Sequence, residues 1–180
     1  MKHLYIKNGN VVLNDRIVNG ATVAISGGRI SAVSKKVKAK KGSFILDAKG
    51  CYVSPGFIDT HIHGSPSDVF LNEMRGGTTS IILAFFCDSL DKIAAKAEEV
   101  KRFKRKSFLG KNLLGIRLEG PYINKARCGA QNELFINKPD KAQFLQILDM
   151  CPGLLKIMTI APELKGARAL IKILKRKNII

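Results

Sequence analysis

Two histidines stand two positions apart in the segment PGFIDTHIHG, which spans residues 55–64. They are His61 and His63, and they end an apolar run that is typical of a β-strand. Side chains alternate along a strand, so both imidazoles are expected on the same face. Two imidazoles on one face at the carboxyl end of a strand can share one metal ion. The chain contains 3 histidines in all and two of them lie here, so the pair predicts a metal site.

Two carboxylates accompany the histidines. Glu119 follows a second apolar run, LLGIRL at residues 113–118, and would emerge at the same end of a parallel sheet as His61 and His63. A carboxylate there can ligate or bridge metal ions, although a strand-end glutamate beside a loop is the simpler interpretation of this position taken alone. Asp59 could orient a ligating histidine or have a structural role beside its own strand, and the sequence leaves both roles open.

The residues that precede the histidines predict a small β-domain. Short β-branched segments alternate there with the turn signals Asn8-Gly9, Asn19-Gly20 and Gly27-Gly28. Glycine and asparagine supply the positive φ angles that tight turns between strands require. We therefore expect a small β-sandwich domain over residues 1–54.

Strands and helices alternate after residue 54. The expected strands lie at 57–61, 78–85, 113–118 and 155–160. The expected helices lie at 91–106, from about 139, and at 163–177. Strands separated by crossover helices form a parallel sheet, which right-handed crossovers can curl into a barrel. The predicted fold class is therefore α/β, with the first half of a TIM-type (β/α) barrel over residues 55–180. The nearly continuous apolar run at 57–62 predicts a buried strand.

The chain is strongly basic, with 31 Lys and Arg against 14 Asp and Glu and a formal net charge of +17. Such a field could attract nucleic acid, could attract an anionic substrate such as a sugar phosphate, or could reflect a solvated lysine-rich surface. The basic runs at 101–106 and 172–177 continue helical periodicity without aromatic residues placed for base stacking. This pattern favours exposed helix ends and disfavours a nucleic-acid partner. Without an apolar run of about 18 residues or a signal peptide, the sequence predicts a cytoplasmic protein with no membrane partner.

Three motifs carry a family resemblance. PGFIDTHIHG, LEGPYINKARCGAQN and TIAPE occur in an order and at spacings that resemble the N-acetylglucosamine-6-phosphate deacetylases of the amidohydrolase superfamily. The LEGPYIN segment is far more specific than the histidine pair, and the resemblance covers essentially the whole chain. It implies that Glu119, His61 and His63 are ligands of a divalent metal, with zinc or iron expected.

The same resemblance implies substrate contacts at Ala130 and Gln131. Family members usually carry histidine followed by asparagine in this loop, whereas this chain has Gln131-Asn132. Glutamine can exchange hydrogen bonds with sugar hydroxyls but cannot become cationic near a phosphate. The resemblance further implies a homodimer and an amino-sugar phosphate substrate.

The end of the chain sets a further expectation. A complete barrel needs about 250 residues, and Ile179 and Ile180 would only begin a fifth strand. The family's remaining histidine ligands and its catalytic aspartate would lie beyond Ile180, so no catalytic residue is assigned within these residues. We expect this chain to be an incomplete fragment of its family's fold and inactive by itself.

The implied reaction is metal-dependent hydrolysis of the acetamide on an amino-sugar 6-phosphate, which is the work of a carbon–nitrogen hydrolase. One alternative is another amidohydrolase, acting on a cyclic amide or a nucleobase, since the histidine pair is common to these enzymes. The LEGPYIN loop argues against it. A second alternative is a basic nucleic-acid-binding fragment, which salt-dependent retention on DNA or RNA would support.

Overall fold

The computed structural model describes His3–Ile180 and divides into two compact units, Met1–Pro55 and Gly56–Ile180. Each unit is built on a sheet of its own. Across the described range, no helix combines the length and the apolar character needed to cross a bilayer.

The first unit is one mixed sheet of five strands. The strands are β1 (His3–Val12), β2 (Ile17–Ser26), β3 (Arg29–Ser34), β4 (Phe44–Asp47) and β5 (Tyr52–Val53). β1 pairs antiparallel with β2 on one side and parallel with both β4 and β5 on the other. The expected β-sandwich is therefore wrong for the described residues, which form a single sheet. β1 is long enough to pair with β2 on one side and with both β4 and β5 on the other, so these strands share one layer. β3 is added to the outside of β2.

The sequence predicted two short strands where the structure has the single strand β1. Asn8 adopts a positive φ of 56°, and the pairing with β2 shifts register on either side of Gly9. A Cβ at Gly9 would lie 2.6 Å from Cγ2 of Val53, so the Val53 side chain would have to move. The turn signal Asn8-Gly9 therefore produces an irregularity within a continuous strand instead of a hairpin.

The second unit is a parallel sheet of four strands in the order β6-β7-β8-β9, with helices between successive strands. The strands are β6 (Phe57–Ile62), β7 (Thr78–Phe85), β8 (Leu113–Leu118) and β9 (Leu155–Met158). The helices are α1 (Pro66–Glu73), α2 (Leu90–Lys106), α3 (Lys141–Met150) and α4 (Ala167–Arg176). The predicted α/β class is confirmed. The apolar core of this unit lies between the sheet and the helices.

β6 corrects the prediction of a buried strand. Phe57 is 64% exposed and Ile58 is 59% exposed. β6 lies at the edge of the described sheet and pairs with β7 alone, whereas β7 has a partner on both sides and is buried from Ile81 to Phe85. The apolar run therefore identified a strand correctly, but burial depended on the number of neighbours.

The helix boundaries follow local capping. α2 begins after Ser89, whose hydroxyl accepts a hydrogen bond from the Lys92 N–H at 3.4 Å. α4 begins at Ala167 and not at 163 as expected. Gly166 has a φ of 93°, and the residues before it form turns, so the chain cannot enter the helix earlier.

Lys104, in the basic run at 101–106, turns inward. α2 packs on the sheet through the buried side chains of Ile93, Ala97 and Val100. Lys104 continues that stripe, and its amine donates to the carbonyl oxygens of Gly110, at 3.5 Å, and of Leu113. Burial lowers the pKa of Lys104. The prediction of a solvated helix end is therefore wrong for Lys104, which instead fixes the first residue of β8.

The packing of α3 gives a stability prediction. Phe144 is 0% exposed in the core, so Phe144→Ala should lower the free energy of unfolding by about 3–5 kcal/mol, because it leaves a cavity. Phe108 is 87% exposed, and Phe108→Ala should change that free energy by no more than about 0.5 kcal/mol. Urea unfolding followed by circular dichroism measures both. Equal effects of the two substitutions would contradict the placement of Phe144.

Candidate metal centre

The predicted ligands of the second unit lie at the carboxyl ends of its parallel strands. His61 lies near the end of β6, His63 follows that strand, and Glu119 follows β8. Ile62 packs on the core, so its neighbours His61 and His63 point to the opposite face. Leu118 is likewise buried in the core, and alternation turns Glu119 to that same opposite face.

The three side chains converge, although the strands that carry them are not adjacent. β7 lies between β6 and β8, so the side chains meet across its end. One possible ligand atom from each of His61, His63 and Glu119 lies within 4.8 Å of the others. Oε1 of Glu119 faces Nε2 of His61 and lies 3.2 Å from Nε2 of His63. A single cation could therefore contact both imidazoles and this carboxylate oxygen.

Burial and charge also suit a cation. Glu119 is 9% exposed, whereas the side chains of His61 and His63 are 49% and 34% exposed. Within His3–Ile180, the ion-pair contacts of Glu119 are with these two histidines and with no lysine or arginine. A buried carboxylate requires a compensating partner. Imidazole nitrogen and carboxylate oxygen are donors that suit zinc and iron, so the residues fit a divalent cation.

Neighbouring groups hold the two histidines. The ring of His63 stacks on Phe86, with centroids 4.0 Å apart and planes at 9°. Oδ1 of Asp59 accepts a hydrogen bond from the backbone N–H of His61 at 2.8 Å. Of the two roles left open for Asp59, this contact favours the structural one, because the carboxylate bonds to the backbone and not to an imidazole.

The loop after β8 brings Gln131 to the far side of Glu119. Oε1 of Gln131 accepts a hydrogen bond from the backbone N–H of Cys87 at 2.7 Å. Its Nε2 donates to Oε2 of Glu119. Ala130, the other expected substrate contact, lies beside it on an exposed turn.

Sequence reasoning missed Phe86 and Cys87, which directly follow β7. Cys87 is buried, and its thiol lies 3.7 Å from the backbone oxygen of Glu119. Burial, together with the charge of Glu119, raises the pKa of this thiol to about 11. The signal for both residues was available, because the ends of neighbouring parallel strands share one edge of the sheet.

Comparison with known proteins gives a consistent result. No protein-family model matches the chain. The N-acetylglucosamine-6-phosphate deacetylase of Bacillus subtilis (strain 168) is 32% identical over 201 residues, which cover 98% of this chain and 49% of the relative. The crystal structure of N-acetyl-D-glucosamine-6-phosphate deacetylase from Mycobacterium smegmatis is 25% identical with a TM-score of 0.80, and the match covers 100% of this chain and 53% of that one.

The chain thus spans about half the length of the curated relatives it matches. A dihydroorotase from Lactobacillus gasseri is 38% identical over 74 residues, but the match covers only 41% of the chain. The match to the Bacillus subtilis deacetylase covers nearly every residue of the chain, so it includes both the histidine pair and the LEGPYIN loop. The resemblance predicted from the motifs is confirmed.

The contact of Asp59 allows its two roles to be separated. Asp59→Asn retains an oxygen that can accept from the His61 N–H, whereas Asp59→Ala removes it. If the role is structural, Asp59→Ala should lower the free energy of unfolding by about 1 kcal/mol, and Asp59→Asn should leave both stability and cobalt(II) affinity near the wild-type values. Urea unfolding measures the free energy of unfolding, and titration with cobalt(II) measures the metal affinity. Weakened cobalt binding in Asp59→Asn, with stability unchanged, would show instead that the charge of Asp59 matters.

Proposed function

Since the chain resembles the N-acetylglucosamine-6-phosphate deacetylases over nearly its whole length, we propose that it forms the metal-holding part of a hydrolase that deacetylates an amino-sugar phosphate. The reaction is hydrolysis of the acetamide, which gives acetate and a free amine. The observation that carries this proposal is the convergence of His61, His63 and the buried Glu119 at the carboxyl ends of the parallel strands.

The proposal includes the architecture that such a site requires. Residues 55–180 are the first part of a TIM-type (β/α) barrel, and residues 1–54 are a separate β-domain. Four parallel strands in chain order, each followed by a helix, support this assignment. The position of the site supports it too, because active sites of such barrels lie at the carboxyl ends of the strands.

Each residue of the centre has a distinct part. Glu119 is the central group, because Oε1 faces both imidazoles from a buried position. His61 and His63 supply nitrogen ligand atoms on the more exposed side. A divalent metal, zinc or iron, held by these groups would lower the pKa of a bound water molecule and polarise the amide carbonyl of the substrate.

The substrate class follows from the relatives and agrees with the charge of the chain. The curated relatives that cover most of the chain are named as deacetylases of amino-sugar 6-phosphates. A net charge of +17 attracts a phosphate-bearing substrate over long range. The partly exposed face of His61 leaves a path by which such a substrate can approach the centre.

Metal binding by the 180-residue chain tests the centre itself. Glu119→Gln keeps the shape of the side chain but removes its charge, and it should weaken zinc or cobalt(II) binding more than 100-fold, since even outer partners of ligands cost about 10–100-fold. Glu133→Gln, on an exposed residue of the same loop, should leave the affinity unchanged. His61→Ala should cost less than Glu119→Gln, because it removes one donor and leaves the central group. Equal affinities for the wild type and Glu119→Gln would contradict the assignment.

Activity tests the reaction. The complete product of the gene that encodes this chain should release acetate from N-acetylglucosamine 6-phosphate in the presence of zinc or iron(II). Glu119→Gln should lower kcat/KM by more than about 100-fold, for the reason given for metal affinity. Dihydroorotate is the competing substrate to assay. Turnover of that cyclic amide without turnover of the sugar phosphate would refute the proposal.

A further inference from the structure

We infer that Gln131 is a positioning residue that fixes the orientation of the Glu119 carboxylate. The inference rests on the proposed metal-binding role of Glu119. It gives Gln131 a task besides the substrate contact expected from the sequence. Both polar atoms of the Gln131 amide are bonded to the protein, one to the end of β7 and one to Glu119.

The direction of the amide follows from its partner on β7. The backbone N–H of Cys87 can only donate, so the atom 2.7 Å away must be the carbonyl oxygen of the Gln131 side chain. The amide nitrogen then points the other way, toward Oε2 of Glu119. An amide turned by 180° would place two donors against each other and two acceptors against each other. The glutamine is therefore a bridge from the end of β7 to the carboxylate at the end of β8.

The backbone of the loop holds this bridge in place. The N–H of Gln131 donates to the carbonyl of Cys128 at 3.2 Å, which closes a turn. Gly129 within that turn has a φ of 61°, a left-handed conformation that glycine adopts without strain. Next to Gln131, the side chain of Asn132 accepts from the N–H of Leu134 at 3.0 Å and starts a 3₁₀ turn. The backbone on both sides of the Gln131 side chain is therefore held by hydrogen bonds.

As a consequence, the two carboxylate oxygens of Glu119 have different partners. Oε2 is taken by the amide of Gln131, and Oε1 is left facing His61 and His63. The last torsion of a glutamate side chain has broad minima, so a carboxylate without a partner on Oε2 could rotate. Hydrogen-bonding partners behind a ligand are a general means of fixing its orientation. Gln131 supplies that partner here.

Cobalt(II) binding to the 180-residue chain tests the inference without an activity assay. The visible absorption of bound cobalt depends on the number and geometry of its ligands. Gln131→Leu preserves approximate size but removes both hydrogen bonds. It should weaken cobalt binding about 10–100-fold and change the spectrum. The matched control is Gln146→Leu, the same change at an exposed position on α3, which should leave both unchanged.

A second variant covers the case in which Gln131→Leu does not fold. Gln131→Glu retains an acceptor for the Cys87 N–H and so keeps the anchor to β7, but it places a carboxylate against Oε2 of Glu119. The orientation of Glu119 should then change, and with it the cobalt spectrum. Thermal unfolding of the metal-free variants confirms that each one folds.

The outcomes separate the inference from the proposed function. If the wild-type chain gives no cobalt spectrum that Glu119→Gln abolishes, the metal centre is wrong and the inference is overturned with it. If the wild type binds cobalt and folded Gln131 variants bind it with unchanged affinity and spectrum, the inference alone is overturned. A change confined to the KM for the sugar phosphate in the complete gene product, with the cobalt spectrum unchanged, would likewise overturn it and leave the substrate contact as the task of Gln131.

Discussion

A buried carboxylate needs partners that replace its contacts with water, and this constraint organises the candidate metal centre. Glu119 is 9% exposed and is surrounded by imidazoles on one side and by an amide donor on the other. Its oxygens therefore have defined tasks, one toward the histidines and one toward Gln131. The positive charge of a metal ion would complement this carboxylate.

β7 is the strand on which this centre depends, although it contributes none of the three candidate ligands. It separates β6 from β8, so it sets the distance across which the histidines reach Glu119. The two residues that follow β7 both contact the centre. Phe86 stacks on the ring of His63, and the N–H of Cys87 donates a hydrogen bond to the side chain of Gln131. A central, fully paired strand is the most rigid available support for such a site, because both of its edges are hydrogen-bonded.

The basic character of the chain has two structural origins. Lys106, Lys175 and Arg176 are exposed and lie in the last turns of α2 and α4, where positive charge interacts favourably with the helix dipole. Lys104 is different, because its amine bonds to backbone carbonyls at the start of β8. Part of the charge therefore lies at the start of the strand that leads to Glu119, and part lies at exposed helix ends.

The sequence alone determined the features that depend on neighbours along the chain. Alternation placed His61 and His63 on one face, and apolar runs located the strands. The tertiary structure decided everything that depends on strand order. It placed His61 against Glu119 across 58 positions, joined Gln131 to Cys87 across 44, and exposed β6 at the sheet edge. Local periodicity fixes the direction of a side chain, but only the folded sheet determines which distant group it meets, because that depends on which strands become neighbours.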